Sequence, residues 1–362
     1  MALKIAVIGG DGIGPEVIAE GLKVLKVAAA ATGLTCETVD LPYGARHYLE
    51  TGEVITDEQV EQLRAFDAIF LGAVGHPDVK PGVLEKGLLL KLRFDLDLYI
   101  NLRPVHLYPG VRTPLAGRGT DDIQFDVVRE NTEDLYTGAG GIARKGTAHE
   151  VATQEMLATR FGVERCLRYA FDLARSKKKA GGRGQLTLVH KTNVLTHCGD
   201  TWFRAFEEVG AADYADVERG YHHVDACCMY MVDRPQAYDT IVVPNMFGDI
   251  ITDLGAVIAG GMGMAASGNL NPDGAAPSMF EPVHGSAPDI AGQNQANPLA
   301  TIVSLAMLLR ETGRIRGDAA AVAAADRVEQ AIESVLPRFE GQAMDRLPLG
   351  TREVGDAVAA AI

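Results

Sequence analysis

The chain reads as an α/β protein of two domains, and three observations predict this. Short apolar runs of strand character alternate with amphipathic helical stretches from the N-terminus onward. At 362 residues the chain is longer than an ordinary single domain. No Ser/Pro-rich linker interrupts it, so the two domains are expected to be intimately connected.

Taken in order, residues 4–8 form an apolar strand, and residues 15–32 form a helix opened by Pro15, whose fixed φ suits the first helical position. Residues 68–71 read as a second buried strand. Further strands fall at 124–129, 186–189 and 240–243, with a helix over 154–176 between them. The run Ser176-Lys-Lys-Lys-Ala-Gly-Gly-Arg-Gly184 reads as an exposed loop. Beyond Asp249 the chain turns glycine-rich and then helical at 298–310 and 319–336.

Composition narrows the function. Hydrophobic residues make up 47% and charged residues 23%, the range of a folded globular chain with a large core. A net charge of −14 repels nucleic acid and anionic membranes over most of the surface, so an anionic ligand has to meet a local arginine cluster. Five cysteines (Cys36, Cys166, Cys198, Cys227 and Cys228) show neither metal-finger spacing nor an even disulfide framework, which suits a reducing cytoplasm. The start of the chain enters a strand directly, without a targeting pattern. No apolar run approaches the ~20 residues that span a bilayer.

The most informative segment is Asn245-Met-Phe-Gly-Asp-Ile-Ile-Thr-Asp253. It places Asp249 and Asp253 on one helical face where a helix is expected to begin. Two like charges at that spacing oppose each other unless a cation lies between them, and oxygen-only ligands suit Mg²⁺ or Mn²⁺. Alone, Asp249 could be a helix cap and Asp253 a solvated first-turn charge. The Gly9-Gly-Asp-Gly-Ile-Gly14 turn invites a dinucleotide-binding Rossmann reading, but its spacing is imperfect. No acidic residue ending a second strand is evident ~20 residues on.

Leu188-Val-His-Lys-Thr-Asn-Val-Leu195, Tyr221-His-His-Val-Asp-Ala226 and arginines 93, 103 and 129 join the Asp249/Asp253 pair. Together with Gly9 to Glu16 and His284-Gly-Ser-Ala-Pro-Asp-Ile-Ala-Gly292, they make the chain resemble, end to end, the metal-dependent β-decarboxylating dehydrogenases. That family comprises the isopropylmalate, isocitrate, homoisocitrate and tartrate dehydrogenases. The resemblance implies an isopropylmalate dehydrogenase-like fold of two α/β domains, not a Rossmann fold. The first, cofactor-binding domain would comprise residues 1–98 and 261–362. The second, carrying substrate, metal and dimer contacts, would comprise 99–260.

The resemblance also implies roles. Lys191 is the base or a relay to it, and Tyr136 the proton donor to the enol left by decarboxylation. A lysine serves as a base near neutrality only where burial or nearby positive charge disfavours its charged form. Arg93, Arg103 and Arg129 clamp the malate carboxylates with planar forks. Asp225, Asp249 and Asp253 hold the divalent ion, with Asp225 also near the substrate. Lys191 and Asp225 reach a site formed mainly by another subunit, so a homodimer is expected. His284, Gly285, Ser286, Ala287, Asp289, Ile290 and Asn297 hold the adenosine, and Asn193 lies at the nicotinamide ribose. Asp289 accepts from ribose hydroxyls and opposes a 2′-phosphate, which favours NAD over NADP.

Substrate choice rests on Leu84-Glu-Lys-Gly-Leu-Leu-Leu-Lys-Leu-Arg93. Leu88, Leu89 and Leu90 would offer an apolar wall that suits an isopropyl group, worth roughly 2 kcal/mol at ~0.8 per carbon. The wall would reject a third carboxylate. Glu85 fits the same pattern. Against it, Arg129-Glu-Asn-Thr-Glu-Asp-Leu-Tyr136 looks closer to the isocitrate and homoisocitrate versions, which keeps other 3-substituted malates open. A catalytically silent regulatory subunit would lack the lysine, the tyrosine or a metal aspartate, and all are present.

Overall fold

The computed structural model describes residues 2–342, 344 and 347–362. The chain divides into two compact units. The first is Met1–Leu98, Arg103–Ile123 and Ala256–Ile362; the second is Tyr99–Leu102 and Gln124–Gly255. The expected crossings near 98 and 260 stand beside observed ones at Leu98/Tyr99 and Gly255/Ala256, and residues 103–123 group with the outer segments of the chain.

The first unit opens with β1 (Leu3–Gly10), α1 (Gly14–Thr32), β2 (Cys36–Leu41), the short helices α2 (Ala45–Thr51) and α3 (Asp57–Leu63), and β3 (Ala68–Ala73). β1 lies between β2 and β3, parallel to both, and its successive residues Ile5, Ala6, Val7 and Ile8 are all buried, so both of its faces are covered there and it reads as a continuous apolar run. α1 has proline at its start and ends at Gly33, whose φ of 73° is the left-handed conformation that closes helices. A π-helical stretch, Glu85–Leu90, runs into α4 (Lys91–Asp95). β4 (Ile100–His106) is divided between the units.

The second unit contains β5 (Gln124–Glu130), a 3₁₀ turn (Asp134–Thr137), the exposed hairpin of β6 (Gly140–Ala143) and β7 (Val151–Gln154), and α5 (Arg160–Lys179). It continues with β8 (Gln185–His190), α6 (Thr196–Asp213), β9 (Glu218–His223), α7 (Val224–Asp233), β10 (Thr240–Val243) and α8 (Asn245–Ile258). Its strands run β5-β10-β8-β9, all parallel. Phe171 of α5 stacks on Phe206 of α6 and on Tyr214, with centroids 5.4 and 4.7 Å apart, which locks two helices over that sheet.

Back in the first unit, β11 (Ala266–Leu270) and β12 (Ser278–Pro282) precede α9 (Leu299–Arg316), α10 (Ala319–Val335) and α11 (Thr351–Ala359). β12 pairs parallel with β3 and antiparallel with β11, giving the order β2-β1-β3-β12-β11. This mixed sheet is not the parallel doubly wound order of a Rossmann domain, as expected. Residues 299–309 of α9 are all buried, so its first three turns present no face to solvent, and its charged residues are confined to 310–316.

Three local expectations change. The helix expected over 154–176 starts at Arg160, because residues 151–154 form β7 and Thr159 caps the helix by accepting from the Gly162 N–H at 2.9 Å. Lys177, Lys178 and Lys179 belong to its last turn rather than to a loop, where positive charge favours the helix dipole. The helix carrying the paired aspartates begins at Asn245, so Asp249 lies in its second turn and is not its cap. Among the described residues no helix is long and apolar enough to cross a membrane.

Candidate active site

In the second unit, parallel pairing places Val243 of β10 opposite Arg129 of β5, so the end of β5 lies beside the start of α8. The C-terminal ends of parallel strands are where such folds build sites. Arg129 Nε donates to the Asn245 carbonyl at 2.8 Å and to Asn245 Oδ1 at 3.0 Å, and Nη2 donates to the same Oδ1 at 2.7 Å. Its Nη1 reaches Asp249 Oδ1 at 2.6 Å. The other oxygen of Asp249 accepts from the Tyr136 hydroxyl at 2.8 Å. The guanidinium also lies 5.1 Å from the centre of the Tyr136 ring. Arg129, Tyr136 and Asp249 are therefore brought together, with Arg129 only 1% exposed and bonded to protein groups rather than presented as a clamp.

Two residues that the sequence did not single out complete this corner. Asp134, in a left-handed conformation at φ 70°, accepts from the Met246 N–H at 2.8 Å and from the Leu135 N–H at 2.7 Å, tying the tyrosine turn to the first turn of α8. Burial pushes its carboxyl above the ordinary range. Asn245 is buried beneath Arg129. Gly248 permits the approach, since a Cβ there would come 2.5 Å from Arg129 Cγ.

Lys191 and Asp225 form a second group in the same unit. Lys191 Nζ donates to Asp225 Oδ1 at 2.7 Å, and this bond holds the Asp225 carboxyl below its ordinary value. Asn193 is exposed just beyond the lysine, and Asp253 is exposed on α8. Among the described residues no three His, Cys, Asp or Glu side chains converge on a possible metal position, so Asp225 does not join Asp249 and Asp253 within one chain. Asp249 and Asp253 nonetheless suit a hard divalent ion. Both are oxygen donors, and a carboxylate retains lone pairs after two hydrogen bonds.

In the first unit the 284–290 loop is seated on the start of α1. The Ile13 N–H donates to the Ser286 carbonyl at 2.8 Å, and Ile290 and Ala287 pack on Ile13 and Val17. Asp11 secures the glycine turn by accepting from the N–H groups of Ala45 at 2.7 Å and Gly75 at 3.0 Å. Ala287 has φ 37°, a strained conformation for an alanine that places the exposed Asp289 on its loop. His284 Nδ1 donates to the Gly285 carbonyl at 3.0 Å, which leaves Nε2 as an acceptor, buried and without a partner. Burial keeps this ring neutral by lowering its pKa. An orphaned acceptor beside exposed Gly285 fits a ligand bearing N–H or O–H donors. Asn297 is occupied elsewhere, accepting from the Leu299 N–H and donating to the Met344 carbonyl.

Also in the first unit, Arg93 is buried with Nη2 at 3.4 Å from Glu281 Oε1, and its Nε is without a partner; Arg103 is buried on β4. Leu88 is fully buried in the core with Leu84 and Leu92, and Leu89 packs against that core, so the expected three-leucine wall reduces to Leu90 and part of Leu89. Glu85 is exposed and accepts from the Gly82 N–H at 2.9 Å.

The family model described as isocitrate/isopropylmalate dehydrogenase matches residues 4–358. The chain belongs to the isocitrate/isopropylmalate dehydrogenase family. A protein of Thermobifida fusca named 3-isopropylmalate dehydrogenase is 54% identical over 357 residues, covering 99% of this chain and 97% of its own. One of Frankia casuarinae with the same name is 54% identical over 358 residues, covering 99% of each chain. Among solved structures, an isocitrate dehydrogenase from Methylococcus capsulatus superposes with a TM-score of 0.85 at 34% identity, covering 99% of each chain. This member of the isocitrate/isopropylmalate dehydrogenase family thus resembles an isocitrate enzyme in fold and is 54% identical in sequence to proteins named as isopropylmalate enzymes.

Proposed function

We propose that the protein is an NAD⁺- and Mg²⁺/Mn²⁺-dependent dehydrogenase that oxidises 3-isopropylmalate and releases CO₂ to give 4-methyl-2-oxopentanoate, a precursor of leucine. The observation that carries the substrate is 54% identity over 99% of the chain to proteins named for that activity. Lys191, Tyr136, Asp225, Asp249 and Asp253 supply the side chains the reaction requires, which argues against a silent subunit.

Lys191 takes the proton of the C2 hydroxyl. When bound, a nicotinamide would supply the acceptor for the C2 hydride and a divalent ion the Lewis acid for the C2 oxygen. The bond from C3 to its carboxylate then breaks, CO₂ leaves, and Tyr136 gives its hydroxyl proton to C3 of the enol. Arg93, Arg103 and Arg129 are the substrate-side cations, with Arg129 acting largely through Asp249. Asp249 and Asp253 of one subunit and Asp225 of a second would hold the ion. His284 with its orphaned Nε2, Gly285, Ser286, Ala287, Asp289 and Ile290 would take the adenosine, and Asp289 favours NAD⁺.

A homodimer is supported by the separation of Asp225 from Asp249 and by apolar side chains exposed on the second unit. These are Ile142 and Val151 of the hairpin, Met229 and Val232 of α7, and Ile250 of α8. All five cysteines are free thiols, as in a cytoplasmic enzyme.

The test is NADH formation with Mg²⁺ on a panel of 3-isopropylmalate, isocitrate, homoisocitrate, tartrate, malate and a benzyl-substituted malate. We expect 3-isopropylmalate to have the highest kcat/KM, by roughly tenfold or more over unsubstituted malate. Preference for another acid would move the protein to a different pathway while leaving its chemistry. The segment Asn131-Thr-Glu-Asp-Leu135 and the burial of Leu88 are what favour that second reading.

A further inference from the structure

The ladder between β8 and β9 stops at the pair His190–His223, immediately before Lys191. The next two N–H groups are satisfied by side chains instead. The Lys191 N–H donates to His190 Nδ1 at 2.8 Å, and the Thr192 N–H donates to the Tyr221 hydroxyl at 3.3 Å. The same hydroxyl lies 2.7 Å from Thr192 Oγ1 and 3.0 Å from His223 Nδ1. His223 directly precedes α7, whose first turn carries Asp225, the partner of Lys191. One phenol oxygen therefore joins the strand end bearing the lysine to the helix start bearing its carboxylate. Phe203 and His223 hold the ring edge-on, at centroid distances of 5.4 and 5.3 Å, so packing sets the position of this oxygen independently of its hydrogen bonds.

We infer that Tyr221 is a positioning residue for the base, its hydroxyl fixing the backbone from which Lys191 projects without itself touching substrate. This rests on the reading of Lys191 as the base. Proton transfer depends steeply on geometry, and a displacement of ~1 Å costs on the order of a hundredfold in rate. Ground-state binding of the substrates depends on it far less.

The test compares Tyr221→Phe and Thr192→Val, alone and together, on whichever 3-substituted malate the parent turns over fastest. Each single variant should lose roughly tenfold or more in kcat while both KM values stay within about threefold, because only transition-state alignment is lost. The isotope effect with substrate deuterated at C2 should change with it. The double variant should fall within about threefold of the worse single one, since both remove the same node. Thr192→Ser, which keeps the hydroxyl, should restore most of the rate. Parent-like kcat in folded Tyr221→Phe, a loss confined to KM, or additive losses in the double variant would overturn the inference while the proposed function stood. A parent that binds NAD⁺ and malates but turns over none would instead remove the base reading, and the inference with it.

Discussion

The Asp249 carboxylate meets two different donors, the buried guanidinium of Arg129 and the hydroxyl of Tyr136, and substitution separates what each provides. Tyr136→Phe removes one oxygen from a half-buried pair, so unfolding should change by about 1 kcal/mol. Loss of a proton donor should lower kcat by about a hundredfold or more. Gly248→Ala acts on the other side. Its new Cβ, 2.5 Å from Arg129 Cγ and 2.8 Å from Cβ, has to displace the side chain that orients Asp249. Overpacking of this kind costs roughly 1–3 kcal/mol, so this variant should lose stability as well as rate. Thermal melting and steady-state kinetics on the two proteins check the contrast, and Tyr136→Phe at the parent rate would remove the tyrosine from the chemistry. Asp249 was readable from its spacing to Asp253, and Tyr136 from the family resemblance. Asp134 and Asn245 were not, because an Asx residue near a helix start resembles any cap until pairing of β5 with β10 shows what it receives.

At the scale of elements, Leu88, Leu89 and Leu90 show why an apolar run in sequence need not be an apolar wall. Successive residues of a helix point in directions about 100° apart in the α form, and the π stretch Glu85–Leu90 likewise turns Leu88 into the core and Leu89 against it. Leu88→Ala should cost roughly 2–5 kcal/mol in denaturant unfolding and leave the ranking of substrates unchanged. Leu90→Ala should cost less than about 1 kcal/mol yet reduce the preference for isopropylmalate over malate several-fold. A ranking that moves with Leu88 instead would place the specificity surface on the other face. The same reasoning explains which elements were readable. Residues 4–8, 68–71 and 240–243 stood out because strands covered on both faces are apolar throughout. β2 and β9 each pair with only one strand in their unit and carry polar sequences, Cys36-Glu-Thr-Val-Asp-Leu41 and Glu218-Arg-Gly-Tyr-His-His223, so no apolar run marked them. The exposed hairpin of β6 and β7 carries none either, so nothing in the sequence separates β7 from the helix that begins at Arg160.

For the whole molecule, two buried groups make opposing contributions to stability against pH. Burial of Glu130 pushes its carboxyl up from the ordinary 4.5 to about 7, outweighing the N–H groups of Thr132 and Glu133 that donate to it. Burial of His190 pushes its imidazole down from 6.5 to about 4. A raised carboxyl keeps its proton in the folded state where the unfolded chain has lost it, so its contribution is full below pH 4.5 and falls as pH rises toward 7. A lowered imidazole does the reverse, with a contribution that is full above pH 6.5 and falls as pH drops toward 4. Between pH 4.5 and 6.5 the folded state holds one extra proton at Glu130 and lacks one at His190, so the two slopes, each at most about 1.4 kcal/mol per pH unit, cancel. Single substitutions should uncover them. Relative to the parent, His190→Gln should gain stability as the solution is acidified across that window, and Glu130→Gln should lose it. Any constant cost of either substitution drops out of the slope, as do the remaining titrating groups. Urea unfolding at a series of pH values measures both differences, and slopes of the same sign in the two variants would show that burial does not hold these groups in opposite protonation states.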